Sequence, residues 1–293
     1  MILTKNKLNI AYWRTLGEMN LVNSINMKKL KILWTTDIHL NFLSNKELVS
    51  FIKKIQNESS DLLLIGGDIG EAKSVCSYLQ KLDQSIGCPI YFVLGNHDYY
   101  RGSISGVNND VAHLTKSSKN LFFLDAISFV ELTKDTALIG QSGWADGKFG
   151  DYDNSEVMLN DYVLINEFIG LDKNQRLKKL HELGGDTASK IESKLISAFK
   201  KYKKVICLTH VPPFREACWH EGKISDDSYL PHFSSKSVGD IMKKIMQSKS
   251  DCHLEVLCGH THSSGSTQIL DNFNVTTGKA IYGIPKIQKI IYL

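Results

Sequence analysis

The sequence predicts an α/β fold built around a parallel sheet. Three observations carry that reading. Short apolar runs alternate with helical stretches through the first part of the chain. Some of those runs are continuously apolar, as expected of strands covered on both faces. Most of them end in carboxylate, amide or imidazole residues, which suit the carboxyl edge of a sheet where ligands bind.

Residues 30–36 form the first strand candidate. The stretch 45–57 (NKELVSFIKKIQN) places apolar side chains at 48, 51, 52 and 55, a helical spacing. Residues 61–67 (DLLLIGG) and 89–95 (PIYFVLG) read as buried strands, with a helix over 71–84 between them. Such alternation predicts parallel strands joined by crossover helices. After about residue 120 the texture changes. Runs at 121–124, 127–132 and 136–140 succeed one another without helices, and 142–186 is polar and aromatic with one or two helical patches. A helix over 187–203 leads into a strand at 205–209. A polar loop at 214–236 and a helix at 237–249 lead into a strand at 254–258. Residues 267–293 alternate like an antiparallel sheet.

A chain of 293 residues suits one large α/β domain or two small ones. With 42% hydrophobic and 23% charged residues it reads as a folded globular protein, and a formal charge of +4 is too weak to argue for nucleic acid. The six cysteines show neither C-x-x-C nor zinc-finger spacing, so reduced thiols and a cytoplasmic location are expected. No stretch approaches 18 apolar residues, so no membrane span is expected. Residues 1–26 carry no strong period and are read as a peripheral extension of a domain over 27–293.

The ends of the runs converge on one chemistry. The first strand ends in Asp37-Ile38-His39, the second in Asp68, the third in Asn96-His97-Asp98. The run 205–209 ends in His210, and 254–258 leads into His260-Thr261-His262. A lone D-x-H is ordinarily a turn and a surface histidine. Five strands delivering metal-capable side chains to one edge are not. Oxygen and imidazole donors without cysteine suit manganese, iron, zinc or similar ions. Seven donors exceed the needs of one tetrahedral ion and suffice for two sharing a carboxylate. Asp68, after two glycines, is the best bridge.

These blocks resemble the calcineurin-like metallophosphoesterase superfamily, whose pattern is D-x-H, G-D, G-N-H-[DE], H and G-H-x-H in that order. The resemblance covers roughly 30–293, with 142–186 and 214–236 as poorly matched insertions. It implies a four-layer αββα sandwich of two mixed β-sheets flanked by helices, with the β-rich tail at 267–293 fitting the second sheet. It places Asp37, His39 and His262 on a first metal and Asn96, His210 and His260 on a second, with Asp68 bridging. His97 is implied to lie beside the site as an acid or electrostatic group. The implied activity is hydrolysis of a phosphomonoester or phosphodiester by hydroxide activated on two divalent ions (Mn, Fe, Zn or similar). The G-N-H-D form resembles the phosphodiesterase and nuclease branches more than the protein phosphatases. A small-molecule phosphoester is the favoured substrate, with nucleic acid or a phosphoprotein left open. The non-enzyme alternative is a catalytically silent metal-binding scaffold.

Other residues are read from their neighbourhoods. A proton on His97 beside two cations requires a nearby carboxylate; Glu71, taken to begin the 71–84 helix, is preferred over Asp98. Arg215 and His220, in the loop rooted just after His210, are substrate-binding candidates, although a surface ion pair is the simpler reading of Arg215. His220 and His232 also read as plain surface loop residues. Trp144, Phe149 and Tyr152 read as local packing, and the two insertions as pocket walls.

Overall fold

The computed structural model describes residues 29–293; the extension expected at 1–26 lies outside them. Strands β1 (Lys31–Thr35), β2 (Leu62–Gly66), β3 (Ile90–Val93) and β4 (Leu121–Phe123) run parallel and adjacent in chain order. Their alternation sorts two cores. Ile32, Trp34, Leu62 and Leu64 face one side, and Leu33, Leu63 and Ile65 the other. Crossover helices α1 (Asn45–Asn57), α2 (Val75–Ser85) and α3 (Ile104–Ser117) supply Leu48, Phe51, Leu79 and Val107 to the second of these. Helix α1 starts at a capping box in which the Ser44 hydroxyl accepts from Glu47 N and the Glu47 carboxylate accepts from Ser44 N.

The chain then builds a second sheet. Strands β5 (Val130–Thr133) and β6 (Thr136–Gln141) form a hairpin. After helices α4 (Asp161–Leu164) and α5 (Lys173–Ala198), strand β7 (Lys204–Thr209) lies parallel to β6. A small hairpin of β8 (Trp219–His220) and β9 (Lys223–Ile224), then α6 (Leu230–Phe233) and α7 (Lys236–Gln247), precede β10 (His253–Cys258). Strands β11 (Gly265–Leu270) and β12 (Phe273–Thr277) complete the order β11-β12-β10-β7-β6-β5. The sheets meet through Trp34, Leu64, Val93, Leu138, Leu208 and Leu257. The outer face of the second sheet packs Ile139 and Val256 against Ile191 and Leu195 of α5 and Met242 of α7. This is the expected order of layers: helices, sheet, sheet, helices.

Two expectations are corrected, and one helix has no counterpart among them. The tail does not belong wholly to the second sheet, because β13 (Lys289–Tyr292) pairs antiparallel with β1 and edges the first. Alternation states that a segment is a strand and is silent about its neighbour. The helix expected over 187–203 begins at Lys173, capped by Asp172, and passes through Gly184-Gly185. Paired glycines read as a break, yet Gly184 sits so close to Asp146 that any side chain there would collide. Helix α3 went unread because its sequence, ISGVNNDVAHLTKS, is poor in strong helix formers; only Val107 and Val111 of it are buried.

Candidate metal centre

All the loops that carry the expected ligands leave the same edge of the two sheets, and hydrogen bonds align them beyond the strand ends. Asp37 N donates to Gly67 O (3.0 Å), His39 N to Asp68 O (2.9 Å) and Gly259 N to His210 O (2.9 Å). Asp98 pins two of the loops together: its carboxylate accepts from Ile69 N, Gly70 N and Gly95 N at 2.8, 2.8 and 2.9 Å. The packing requires glycine at 95, where a Cβ would overlap the Asp68 carboxylate and the His210 ring. Gly67 has φ +94° and comparably tight surroundings. Five of the seven expected ligands themselves hold left-handed backbone: Asp37 (φ 49°), His39 (39°), Asp68 (53°), His260 (72°) and His262 (60°). Asp and His enter that region more readily than most residues, but each such residue costs roughly 1–3 kcal/mol and persists only where surroundings hold it.

The seven side chains form two groups that share Asp68. In the first, one ligand atom each from Asp37, His39, Asp68 and His262 lie within 4.8 Å of one another. His39 Nε2 is 3.1 Å from His262 Nε2 and 3.6 Å from Asp68 Oδ2. His262 Nε2 is 3.6 Å from Asp37 Oδ1. In the second group Asn96 Oδ1 is 3.0 Å from both His210 Nε2 and His260 Nδ1, and His210 Nε2 is 3.4 Å from Asp68 Oδ1. Asp68 thus turns one oxygen to each group.

Hydrogen bonds aim the rings. His210 Nδ1 donates to Gly66 O at 2.9 Å, and His260 Nε2 points at His232 O at 3.4 Å. Each leaves its other nitrogen facing Asn96. The amide of Asn96 turns its Nδ2 to Asp161 Oδ1 (2.7 Å), which leaves Oδ1 inward. Burial lowers the pKa of His39 to about 3 and that of His260 to about 3, so both are neutral and carry lone pairs. Burial also opposes charge on His210, but Asp68 and Asp37 outweigh it and raise its pKa to about 10. Burial likewise opposes charge on Asp68, yet His210 and His97 hold its pKa well below the ordinary carboxylate value. A proton on His210 serves only some of the converging acceptors. Oxygen and imidazole donors so arranged fit two divalent cations.

A family model described as calcineurin-like phosphoesterase matches residues 30–264. The chain belongs to the calcineurin-like phosphoesterase family. Two curated relatives are similar over part of their length. A metallophosphoesterase described as uncharacterized from Helicobacter pylori is 37% identical over 81 residues, covering 26% of this chain and 21% of that protein. One from Campylobacter jejuni is 36% identical over 104 residues, covering 34% and 26%. The chain thus spans about a fifth to a quarter of the curated relatives it matches. Solved structures share the fold at low identity. A phosphopantetheinyl hydrolase from Mycobacterium tuberculosis has TM-score 0.59 at 14% identity, covering 86% of this chain and 90% of that one. A dimetal phosphatase from Danio rerio has TM-score 0.55 at 12%, covering 87% and 89%.

Around this candidate metal centre lies a cleft of about 300 Å³. Its floor includes Asn96, His97, His260 and His262. One wall is Leu159, Asn160 and Asp161 from the first insertion, another His220 and Phe233 from the second, and Tyr282 stands at the edge. His97 stacks on Tyr100 (ring centroids 4.2 Å) and meets His39 edge-on at 4.7 Å. Glu71 is not its partner. Helix α2 begins only at Val75, and the Glu71 carboxylate is taken by Arg101. Two buried carboxylates, Asp68 and Asp161, lie within electrostatic range of His97. Asp98 spends its oxygens on backbone amides. Arg215 ion-pairs with Asp227 at 2.7 Å and is not among the residues lining the cleft. His220 does line it, its Nδ1 3.3 Å from Thr261 O. His232 is buried rather than a surface residue. Trp144 and Tyr152 of the first insertion are buried in the core of the first sheet and its helices, and Phe149 packs against a smaller cluster around Leu230. Asp161 and the structural role of Asp98 escaped the sequence reading. Asp161 has no motif around it, and nothing along the chain ties it to Asn96.

Proposed function

We propose that the chain hydrolyses a phosphomonoester or phosphodiester in the 300 Å³ cleft with the help of two divalent ions. The observation that carries this is Asp68, whose two oxygens address two separate donor groups, one 3.6 Å from His39 Nε2 and the other 3.4 Å from His210 Nε2. When bound, two such ions supply an activated water nucleophile at neutral pH and a positive clamp for phosphoryl oxygens. Asp37, His39, Asp68 and His262 would hold one ion, and Asp68, Asn96, His210 and His260 the other; manganese is the first candidate to test. His97 lines the cleft without a ligand role, so its part is to carry a proton toward the leaving oxygen. Asp161 and Asp68, rather than Glu71, offset that charge. The walls from residues 142–186 and 214–236 shape what the phosphate is attached to, and a small molecule suits a cleft of this size. All six cysteines are free, which supports a reducing, cytoplasmic setting. Among the described residues no helix is long and apolar enough to cross a membrane.

The test is a manganese-supplemented screen against a bis-aryl phosphate, an aryl phosphate, cyclic nucleotides and phosphopeptides, with Asp68→Asn as the control. Hydrolysis of one class, abolished by chelation and by Asp68→Asn, is expected. Metal binding without hydrolysis of any ester would favour the scaffold reading instead.

A further inference from the structure

We infer, on the two-ion reading proposed above, that Asp161 and Tyr162 are positioning residues for the second ion alone, so that the first insertion sets the affinity of one half of the centre. Both residues lie on the four-residue helix α4 and both are buried. They brace two different ligands by two different routes.

Asp161 acts on Asn96. The oxygen and nitrogen of an amide have nearly the same shape, so a half-turn about its last bond would present NH₂ to the centre and repel a cation. A carboxylate only accepts hydrogen bonds, and Asp161 Oδ1 accepts Asn96 Nδ2–H at 2.7 Å. That contact selects the orientation in which Asn96 Oδ1 faces His210 and His260. The hydroxyl of Tyr100 donates to the same oxygen of Asp161 at 2.8 Å and stands 3.4 Å from Asn96 Nδ2, which closes the triangle.

Tyr162 acts on His260 through His232. Its hydroxyl is 2.5 Å from His232 Nδ1, and His232 Nε2 is 3.0 Å from Ser155 Oγ. Ser155 Oγ–H donates onward to Ser228 O at 2.7 Å, so its lone pair accepts from the histidine and the Tyr162 hydroxyl is the donor to Nδ1. A ring held at both nitrogens fixes its own backbone, and the carbonyl of His232 is the group facing His260 Nε2. The insertion is also tied to the loop that carries Asn96, by Arg101 N to Leu164 O (2.7 Å) and Asn166 N to Gly102 O (3.0 Å).

The first group is positioned by other means. Asp37 accepts from Thr36 Oγ1 (2.7 Å) and from His260 N (2.9 Å). The rings of His39 and His262 pack against Tyr282, with centroids 4.6 and 5.0 Å apart. None of these contacts comes from residues 142–186.

The experiment is calorimetric titration of chelated full-length protein with Mn²⁺ alone, with metal content checked by elemental analysis and no substrate present. Wild type should take up two ions. Asp161→Leu should leave one event unchanged and weaken the other 10- to 100-fold, the usual effect of removing a hydrogen-bond partner of a ligand. Asp161→Asn, which keeps an acceptor oxygen, should recover most of that loss. Tyr162→Phe, which leaves the ring in place, should weaken the same event less. Equal weakening of both events, unchanged affinities, or Asp161→Asn no better than Asp161→Leu would overturn the assignment. If Asp161→Leu does not fold, Tyr162→Phe decides, and two unchanged events in that variant overturn it. A wild type that binds fewer than two ions would instead sink the two-ion reading itself.

Discussion

At the scale of the residue, the candidate ligands differ in how many of the two donor groups they belong to. Asp68→Asn keeps the shape, and asparagine tolerates the left-handed backbone at φ 53°. It removes the shared negative charge, so loss of both ions is expected, while Asp37→Asn should empty chiefly one. Metal content of the two purified variants separates these outcomes, and full occupancy in Asp68→Asn would refute the bridge. His97→Ala should retain both ions and lose rate, by roughly 10²–10⁴-fold for esters with poor leaving groups. For nitrophenyl esters, whose leaving group needs no proton, the loss should be small. A uniform loss across leaving groups would remove the acid role. The candidate ligands were legible because each follows a strand and joins a spaced motif. Their supports were not: Asp161 lies 65 positions from Asn96, and Glu71 was misassigned because its supposed helix starts four residues later.

At the scale of the element, α5 offers a paired test in adjacent positions. Gly184 packs against Asp146, whereas a Cβ on Gly185 would meet nothing within 4 Å. Gly185→Ala should therefore stabilise the protein by about 0.4–1 kcal/mol through helix propensity and a less flexible unfolded chain. Gly184→Ala should destabilise it despite the same propensity gain, because the backbones must separate. Urea midpoints of the two variants check this, and a stabilised Gly184→Ala would contradict the close approach. The elements with strong periodicity were readable to the residue: the 45–57 helix is α1. Those read poorly lacked a local signal. In α3 the propensity is weak, in α5 Gly184 serves packing, and in β13 the partner strand is 261 positions away at the Lys31–Tyr292 pair, fixed by tertiary contact alone.

At the scale of the molecule, the division of labour between the sheets has a mechanical meaning. Asp37, His39, Asp68 and Asn96 follow strands of the first sheet, and His210, His260 and His262 follow strands of the second. Every ion held among them would be a rivet through both covers of a book, driven at one edge only. The spine is the apolar seam of Trp34, Leu64, Val93 and Leu208, which needs no metal. Drawing the rivets with a chelator should let the covers part at that edge while the seam stays shut. Amide hydrogen exchange should then quicken around residues 36–39, 67–70 and 259–262 and remain slow at the centres of β2 and β7, an ordered opening rather than a uniform loosening. Equal acceleration along the whole length of the strands would mean that the ions hold up the fold itself and not merely its working edge.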